Sequence, residues 1–211
     1  MDADGQHPPH VLPSLLAQIE HYDMVVGART RASDSKLYRD VGNYIFNMYA
    51  SYITDYPIPD LTSGFRVVRA HIAKSLLYLL PNGFSYPTTI TIAMFRSGYR
   101  IRYEPFDSPQ RIGQSKIRPL RDGLRFLMTI TRLAVMFVPL KIFVPVSTVF
   151  LGVGLVYGAY QLIFLGLFRN FATMLIMLGV VIFLNGLIAE QIAMTNLRGR
   201  VSNHQSDTLE S

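Results

Sequence analysis

Arg111-Ile-Gly-Gln-Ser-Lys116 packs two cations, a hydroxyl and a glycine into six residues shortly before the chain turns apolar. A guanidinium takes two phosphate oxygens at once, a lysine adds a mobile point charge, and Gly113 lets the backbone approach an anion closely. The stretch reads as a phosphate grip held at a membrane surface. The same residues also fit a solvated basic loop, or a juxtamembrane cluster drawn to anionic lipid at about 1 kcal/mol per basic residue.

The chain beyond the grip points to a membrane. Residues 119–137 are expected to form a helix: Leu120, Leu124, Leu127, Thr131 and Ala134 share one arc, Phe126, Ile130 and Leu133 widen it, and Arg121, Arg125 and Arg132 cluster on another side. An apolar face beside an arginine stripe suits a helix lying in the headgroup layer, and equally a helix packed on a soluble domain. Residues from about 142 to 168 and from about 172 to 194 carry no charge apart from Glu190, and each covers a bilayer. Arg169-Asn170 is the only polar break, so an antiparallel hairpin is expected. Lysine and arginine abound before Ile142 and return at Arg198 and Arg200, which places both ends in the cytoplasm. Gly152, Gly154, Gly158 and Gly166 permit close helix contact, and Asn185 is expected to bond across the interface. The tail beyond Val201 is polar and expected to be unstructured.

Composition agrees. Only 16% of the 211 residues are charged, and almost all of that charge lies outside residues 142–195, so the apolar excess is local. The net charge of +6 would suit nucleic acid or an anionic membrane face, and the apolar C-terminal half favours the membrane. With no cysteine, neither a disulfide framework nor a thiolate metal site is possible. The opening residues, acidic and polar, do not read as a signal peptide.

Upstream of the grip the chain reads as α/β. Asp2 and Asp4, two apart in an extended segment, present both carboxylates to one side, and Gln6 adds an amide oxygen. Such oxygen ligands suit Mg²⁺ or Mn²⁺ against a diphosphate, although a bare D-x-D also fits a solvated terminus. An amphipathic helix is expected from Val11 to Glu20, then a buried strand from Tyr22 to Gly27. Arg29 and Arg31 come next, at a sheet's carboxyl edge, where α/β folds bind ligands. A helix over 36–54 puts Tyr38, Val41, Ile45, Met48, Tyr49 and Tyr52 on one side, read as core. The turn-rich Asp55–Arg66 stretch is expected to hand over to a helix through Val67, Ile72, Leu76 and Leu77, with Asp60 satisfying backbone amides or serving a site. A further helix leads to Gly98, and Tyr99–Pro105 alternates as an edge strand closed by Pro105.

Four motifs, Asp2-Ala-Asp-Gly-Gln-His-Pro-Pro, Val25-Val-Gly-Ala-Arg29, Asp60-Leu-Thr-Ser-Gly-Phe-Arg66 and Arg111-Ile-Gly-Gln-Ser-Lys116, jointly resemble the polyprenyl-phosphate glycosyltransferases of glycosyltransferase family 2, in the dolichyl-phosphate mannose synthase-like subgroup with two C-terminal transmembrane helices. The resemblance implies the C-terminal part of a Rossmann-like (GT-A type) catalytic domain over 1–117, an amphipathic interfacial helix over 118–137, a transmembrane hairpin over 138–197 and a polar cytoplasmic tail over 198–211. It implies inverting transfer of a sugar from a nucleotide-sugar donor to a polyprenyl phosphate at the bilayer. Asp2, Asp4 and Gln6 would hold Mg²⁺ or Mn²⁺, Arg29 would lie by the donor, Asp60 and Arg66 by the reacting centre, and Arg111, Ser115 and Lys116 would hold the acceptor phosphate. No nucleic-acid partner is implied, and the hairpin glycines allow a homo-oligomer.

Family members carry about a hundred further residues before the D-x-D, including the nucleotide-base pocket, so the chain is expected to be a truncated fragment, inactive or poorly folded by itself. A processive cellulose-synthase-like transferase needs a tryptophan motif, and the chain has no Trp. A non-catalytic adaptor that binds anionic lipid through its basic helix is the alternative, and a transporter subunit would need further spans.

Overall fold

The computed structural model describes residues 7–30, 37–80, 86–108, 119–166 and 170–209. Two compact units divide the chain, Met1–Leu133 and Ala134–Ser211. The first is built on a three-stranded sheet whose centre is β1 (Met24–Arg29), with β2 (Arg66–Val68) antiparallel on one side and β3 (Ile101–Phe106) parallel on the other. Met24-Val-Val-Gly-Ala has no polar residue to turn toward water, and its side chains are buried through Ala28, as befits a strand covered on both faces.

Alternation assigns the two faces. Val25 joins Phe65, Phe106 and Leu15 in one apolar cluster, which α1 (Leu12–Gln18) closes from outside. Val26 points the other way and shares a row with Arg66 on β2 and Tyr103 on β3. On that face α4 (Tyr86–Arg96) buries Thr88 through Met94 and offers Thr91 to Arg66. A Cβ at Gly27 would sit 2.9 Å from Phe65 Cδ1 and 3.1 Å from the Phe106 ring, so glycine is what lets the two rings close over β1. Gly27→Val is expected to destabilise this unit by about 1–3 kcal/mol through overpacking, read as a lowered thermal unfolding midpoint. An unchanged midpoint would mean that the rings yield freely.

Several sequence expectations change here. Residues 66–68 do not begin a helix: Arg66-Val-Val zips onto β1, and the helix, α3, is confined to Ala70–Ser75. Two β-branched residues beside a buried strand gain more from pairing than from one helical turn. Arg69, between β2 and α3, donates to the carbonyls of Ile19, Glu20 and Tyr22 and so fastens the turn into β1. Pro105, expected to close β3, lies within it opposite Ala28, which an edge strand tolerates because the missing N–H faces outward.

The apolar side of α2 (Leu37–Thr54) is not core. Val41, Ile45, Met48 and Tyr52 are exposed, as is Tyr44, while Ala50 and Ile53 are buried. Helical periodicity marks a face that avoids water and is silent on what covers it. Helix α5 (Pro119–Phe137) buries Ile130, Leu133 and Ala134 and sets Phe126 edge-on to Phe46 of α2, whereas Leu124 and Leu127, the expected centre of its apolar arc, are exposed.

In the second unit, α6 (Leu140–Leu165) and α7 (Asn170–Leu209) pair side by side, and Leu140–Leu165 and Asn170–Thr195 are each long and apolar enough to cross a bilayer. Their outward residues are large and apolar, Ile163 being 73% exposed, unlike the core helices of a water-soluble protein. Gly154, Gly179 and Gly186 form the seam: a Cβ at each would come within 2.6–2.8 Å of Ile176, Leu151 and Phe143 respectively. Gly152, expected at the contact, meets nothing, and Gly166 instead ends α6 in the left-handed conformation. Asn185 does not bond across the seam; it donates to Val181 of its own helix. Glu190 accepts a 3.5 Å bond from the Leu140 amide at the start of α6, where a helix leaves unpaired N–H groups and a partial positive charge. Helix α7 continues to Leu209, past the point where the polar tail was expected to be unstructured, because adding a residue to an existing helix costs far less than starting one.

Candidate active site

The site forms at the carboxyl end of β1, where the strand delivers Arg29 to the loop that carries Asp60. That loop is held by α2. Asn47 receives the Leu61 amide and donates to the Pro59 carbonyl, and Ser51, one turn on, receives the Ile58 amide. These amides lie in a turn with no strand partner, so side chains of a neighbouring helix satisfy them. Asp60 is thereby fixed with only 6% of its surface exposed.

Its carboxylate is fully engaged. Oδ2 accepts from Arg29 Nε at 2.8 Å and from the Arg29 backbone amide at 3.2 Å. Oδ1 accepts from Arg29 Nη2 at 2.9 Å, the Thr62 amide at 3.2 Å and the Thr62 hydroxyl at 3.3 Å. This is a two-pronged guanidinium–carboxylate pair with further donors on the remaining lone pairs. Burial pushes the Asp60 carboxyl up, but the bonds and charge of Arg29, with help from Thr62, outweigh it, so its pKa is lowered. Such a carboxylate positions a guanidinium; it has no lone pair ready for a proton.

Arg66 lies on β2 opposite Val26, three positions before Arg29 along β1. Its guanidinium donates to the Ser63 carbonyl, to the Pro87 carbonyl at 2.8 Å and to Thr91 Oγ1 at 3.0 Å, and it stands over the Tyr86 ring at 5.8 Å. Tyr103, across Val26, was not singled out by sequence. Its hydroxyl is buried, with the Thr91 side chain as its hydrogen-bonding neighbour. Burial raises its pKa beyond the ordinary phenol range, an effect that the charge of Arg66 and the Thr91 side chain oppose and that the charge of Asp60 reinforces, so it stays a neutral donor.

Arg29 and Asp60 therefore meet at one sheet end, and Arg66 enters the sheet opposite Val26, three positions earlier along β1. Arg31, the candidate metal ligands Asp2, Asp4 and Gln6, and the grip residues Arg111, Ser115 and Lys116 lie outside the described residues. Among the described residues no cluster of three or more His, Asp or Glu is arranged to hold a metal. The neighbouring His7 is informative: its ring stacks on Phe65 at 5.0 Å and meets Phe106 edge-on. Thr62, Asn47, Thr91 and Tyr103 are the site's unforeseen members. Of these Asn47 left a trace, because Asn47, Ser51 and Thr54 recur at helical spacing within an apolar helix.

Residues 1–77 match the family described as glycosyl transferase family 2, and residues 138–195 match the GtrB C-terminal hairpin. The chain is 30% identical over 125 residues to an undecaprenyl-phosphate mannosyltransferase of Micrococcus luteus, an alignment covering 56% of this chain and 51% of that protein. It is 31% identical over 99 residues to an undecaprenyl-phosphate 4-deoxy-4-formamido-L-arabinose transferase of Yersinia enterocolitica, covering 42% of this chain and 30% of the relative. The chain thus spans about half the length of the first of these relatives and less of the second.

Proposed function

We propose, from the match of residues 1–77 to glycosyl transferase family 2 and of residues 138–195 to the GtrB C-terminal hairpin, that this protein transfers a sugar from a nucleotide-sugar to a polyprenyl phosphate at a membrane. The observation that carries the reading is the Arg29–Asp60 pair, a guanidinium fixed in two directions at the end of a central strand.

The chemistry explains why such groups suffice. A phosphate monoester is mostly ionised at neutral pH, its second pKa being about 6, so the acceptor needs no strong base. The barrier lies in bringing two anionic phosphates together around a sugar that gains positive charge, so neutralisation and alignment are the task. Arg29, held by Asp60, faces the donor; Asp60, with its lone pairs engaged, acts through Arg29. Arg66 serves the reacting centre. The carboxylate and amide oxygens of Asp2, Asp4 and Gln6 suit Mg²⁺ or Mn²⁺, which when bound would neutralise the donor diphosphate. Arg111, Ser115 and Lys116 hold the lipid phosphate, and direct displacement by one acceptor inverts the anomeric carbon. Helix α5 lies in the headgroup layer, and lysine and arginine on both flanks of the hairpin support cytoplasmic termini.

The test is to reconstitute the full chain with undecaprenyl phosphate, Mn²⁺ and radiolabelled nucleotide sugars. Lipid-extractable sugar is expected from one donor, and none after chelation. Binding to anionic vesicles with no product from any donor would favour the adaptor, a reading to which the exposed apolar side of α2 lends some support.

A further inference from the structure

Helix α7 repeats every seven residues on two faces. Against α6 it sets Ala172, Gly179, Gly186 and Ala193, all buried, and their small size is what closes the seam. On the outer face Met174, Leu178, Val181, Asn185, Ile188 and Ile192 follow one another at alternating steps of four and three. That spacing holds six side chains in one narrow stripe, the a and d pattern by which one helix meets another. All six are exposed, Ile188 at 60%. Five of them suit hydrocarbon, and Asn185 does not. It lies within a turn of the middle of the Asn170–Thr195 span, and its side chain donates to the Val181 carbonyl at 2.8 Å. Among the described residues its Oδ1 accepts no bond and its second N–H finds no acceptor, and lipid tails offer neither.

We propose that this stripe receives α7 of a second copy of the chain, parallel to the first about a two-fold axis along the membrane normal, with the two Asn185 amides bonded to each other. The amide identifies the occupant. A carboxamide carries both donor and acceptor, so it is its own complement. Copies that insert with one topology place each residue at one depth, so Asn185 meets its counterpart with no shift of register, and a two-fold contact sets like against like along the stripe. An unrelated membrane protein would need a matching amide at that depth, and a lipid chain has none. A single polar residue at an a position among apolar ones also fixes register and the number of strands. The inference rests on the hairpin crossing a bilayer and is independent of sugar transfer.

The full chain, labelled at its N-terminus in separate donor and acceptor batches and reconstituted in phosphatidylcholine liposomes of increasing lipid content, tests this by energy transfer. Association is expected, and Asn185→Leu, which loses the amide at similar volume, is expected to raise the dissociation constant about three- to tenfold. Asn185→Gln, still an amide, is expected to recover part of that loss, and Leu187→Ala, exposed but off the stripe, to leave association unchanged. Because the chain has no cysteine, single cysteines report which face is shared: Val181→Cys is expected to give a disulfide-linked dimer on oxidation, and Leu187→Cys far less. Energy transfer absent at every dilution, or equal in wild type and Asn185→Leu, would overturn the interface, as would equal crosslinking at the two positions. Lipid-linked sugar produced by such monomers would leave the transferase reading standing while this one falls.

Discussion

Asp60→Asn is expected to slow sugar transfer by about a hundredfold or more and to destabilise the first unit by about 2–3 kcal/mol. The amide keeps the shape of the carboxylate but turns one acceptor into a donor, which then faces the Nε, Nη2 or amide hydrogen of Arg29. The guanidinium loses its compensating charge and its two-pronged anchor, retaining the 2.7 Å bond to Thr62 Oγ1. Breaking a buried pair costs about 3–5 kcal/mol; the Arg29 side chain is 31% exposed, and water relieves part of that. Denaturant unfolding and the lipid-linked product assay read the two effects separately. Lost stability with wild-type turnover would make the pair structural alone.

The same pair has an acid signature. The folded-state pKa of Asp60 lies below its ordinary value of 3.8, so the folded protein releases this proton more readily than the unfolded chain. Its stabilisation is complete above that ordinary value and is lost as pH falls through the lower folded-state value. Between neutrality and pH about 5 the contribution is flat. Asp60→Asn is therefore expected to remove a portion of the acid-side fall in stability and leave the neutral range parallel to wild type.

Gly154→Leu is expected to open the helix hairpin at its seam. The first added carbon would meet Ile176 Cγ1 at 2.8 Å and, less yieldingly, the Ile176 backbone nitrogen at 3.0 Å. A side chain can rotate away; a helix backbone can only move bodily. In a bilayer there is little hydrophobic drive to hold the helices together, so their association depends on such close contact, and the overpacking cost is about 1–3 kcal/mol. The thermal unfolding midpoint of the Gly154→Leu protein in detergent is expected to fall accordingly. An unchanged midpoint would show that the seam absorbs the bulk.

The hairpin and α5 were legible because hydropathy and period are properties of the chain itself. Arg29 and Asp60 were legible as residue types at suggestive places, but not as partners, since 31 positions separate them and only the fold closes that distance. Tyr103 and Thr91 gave no signal at all: a tyrosine in a strand and a threonine in a helix are ordinary until β1 aligns one with Arg66 and α4 brings up the other. For α2 the period was right and its occupant wrong, because Val41, Ile45 and Met48 would read alike against protein, lipid or another chain. The short strand at Arg66–Val68 was missed because its preference comes from β1, and local sequence contains nothing of that neighbour.

The sheet order also sets a schedule for synthesis. The Asp23 side chain at the head of β1 receives the amide of Arg100, 77 residues later, and Met24 is in register with Ile101. A ribosome adding about 5–20 residues per second needs some 4–15 seconds to cover that interval. For that time the Met-Val-Val run of β1 has emerged without its parallel neighbour. The antiparallel partner Arg66–Val68 arrives at about half the wait, so the two-stranded β2–β1 ladder forms first and β3 docks last. During the gap one edge of β1 is open to any passing strand, which makes the nascent chain, rather than the finished protein, the form most in need of a chaperone.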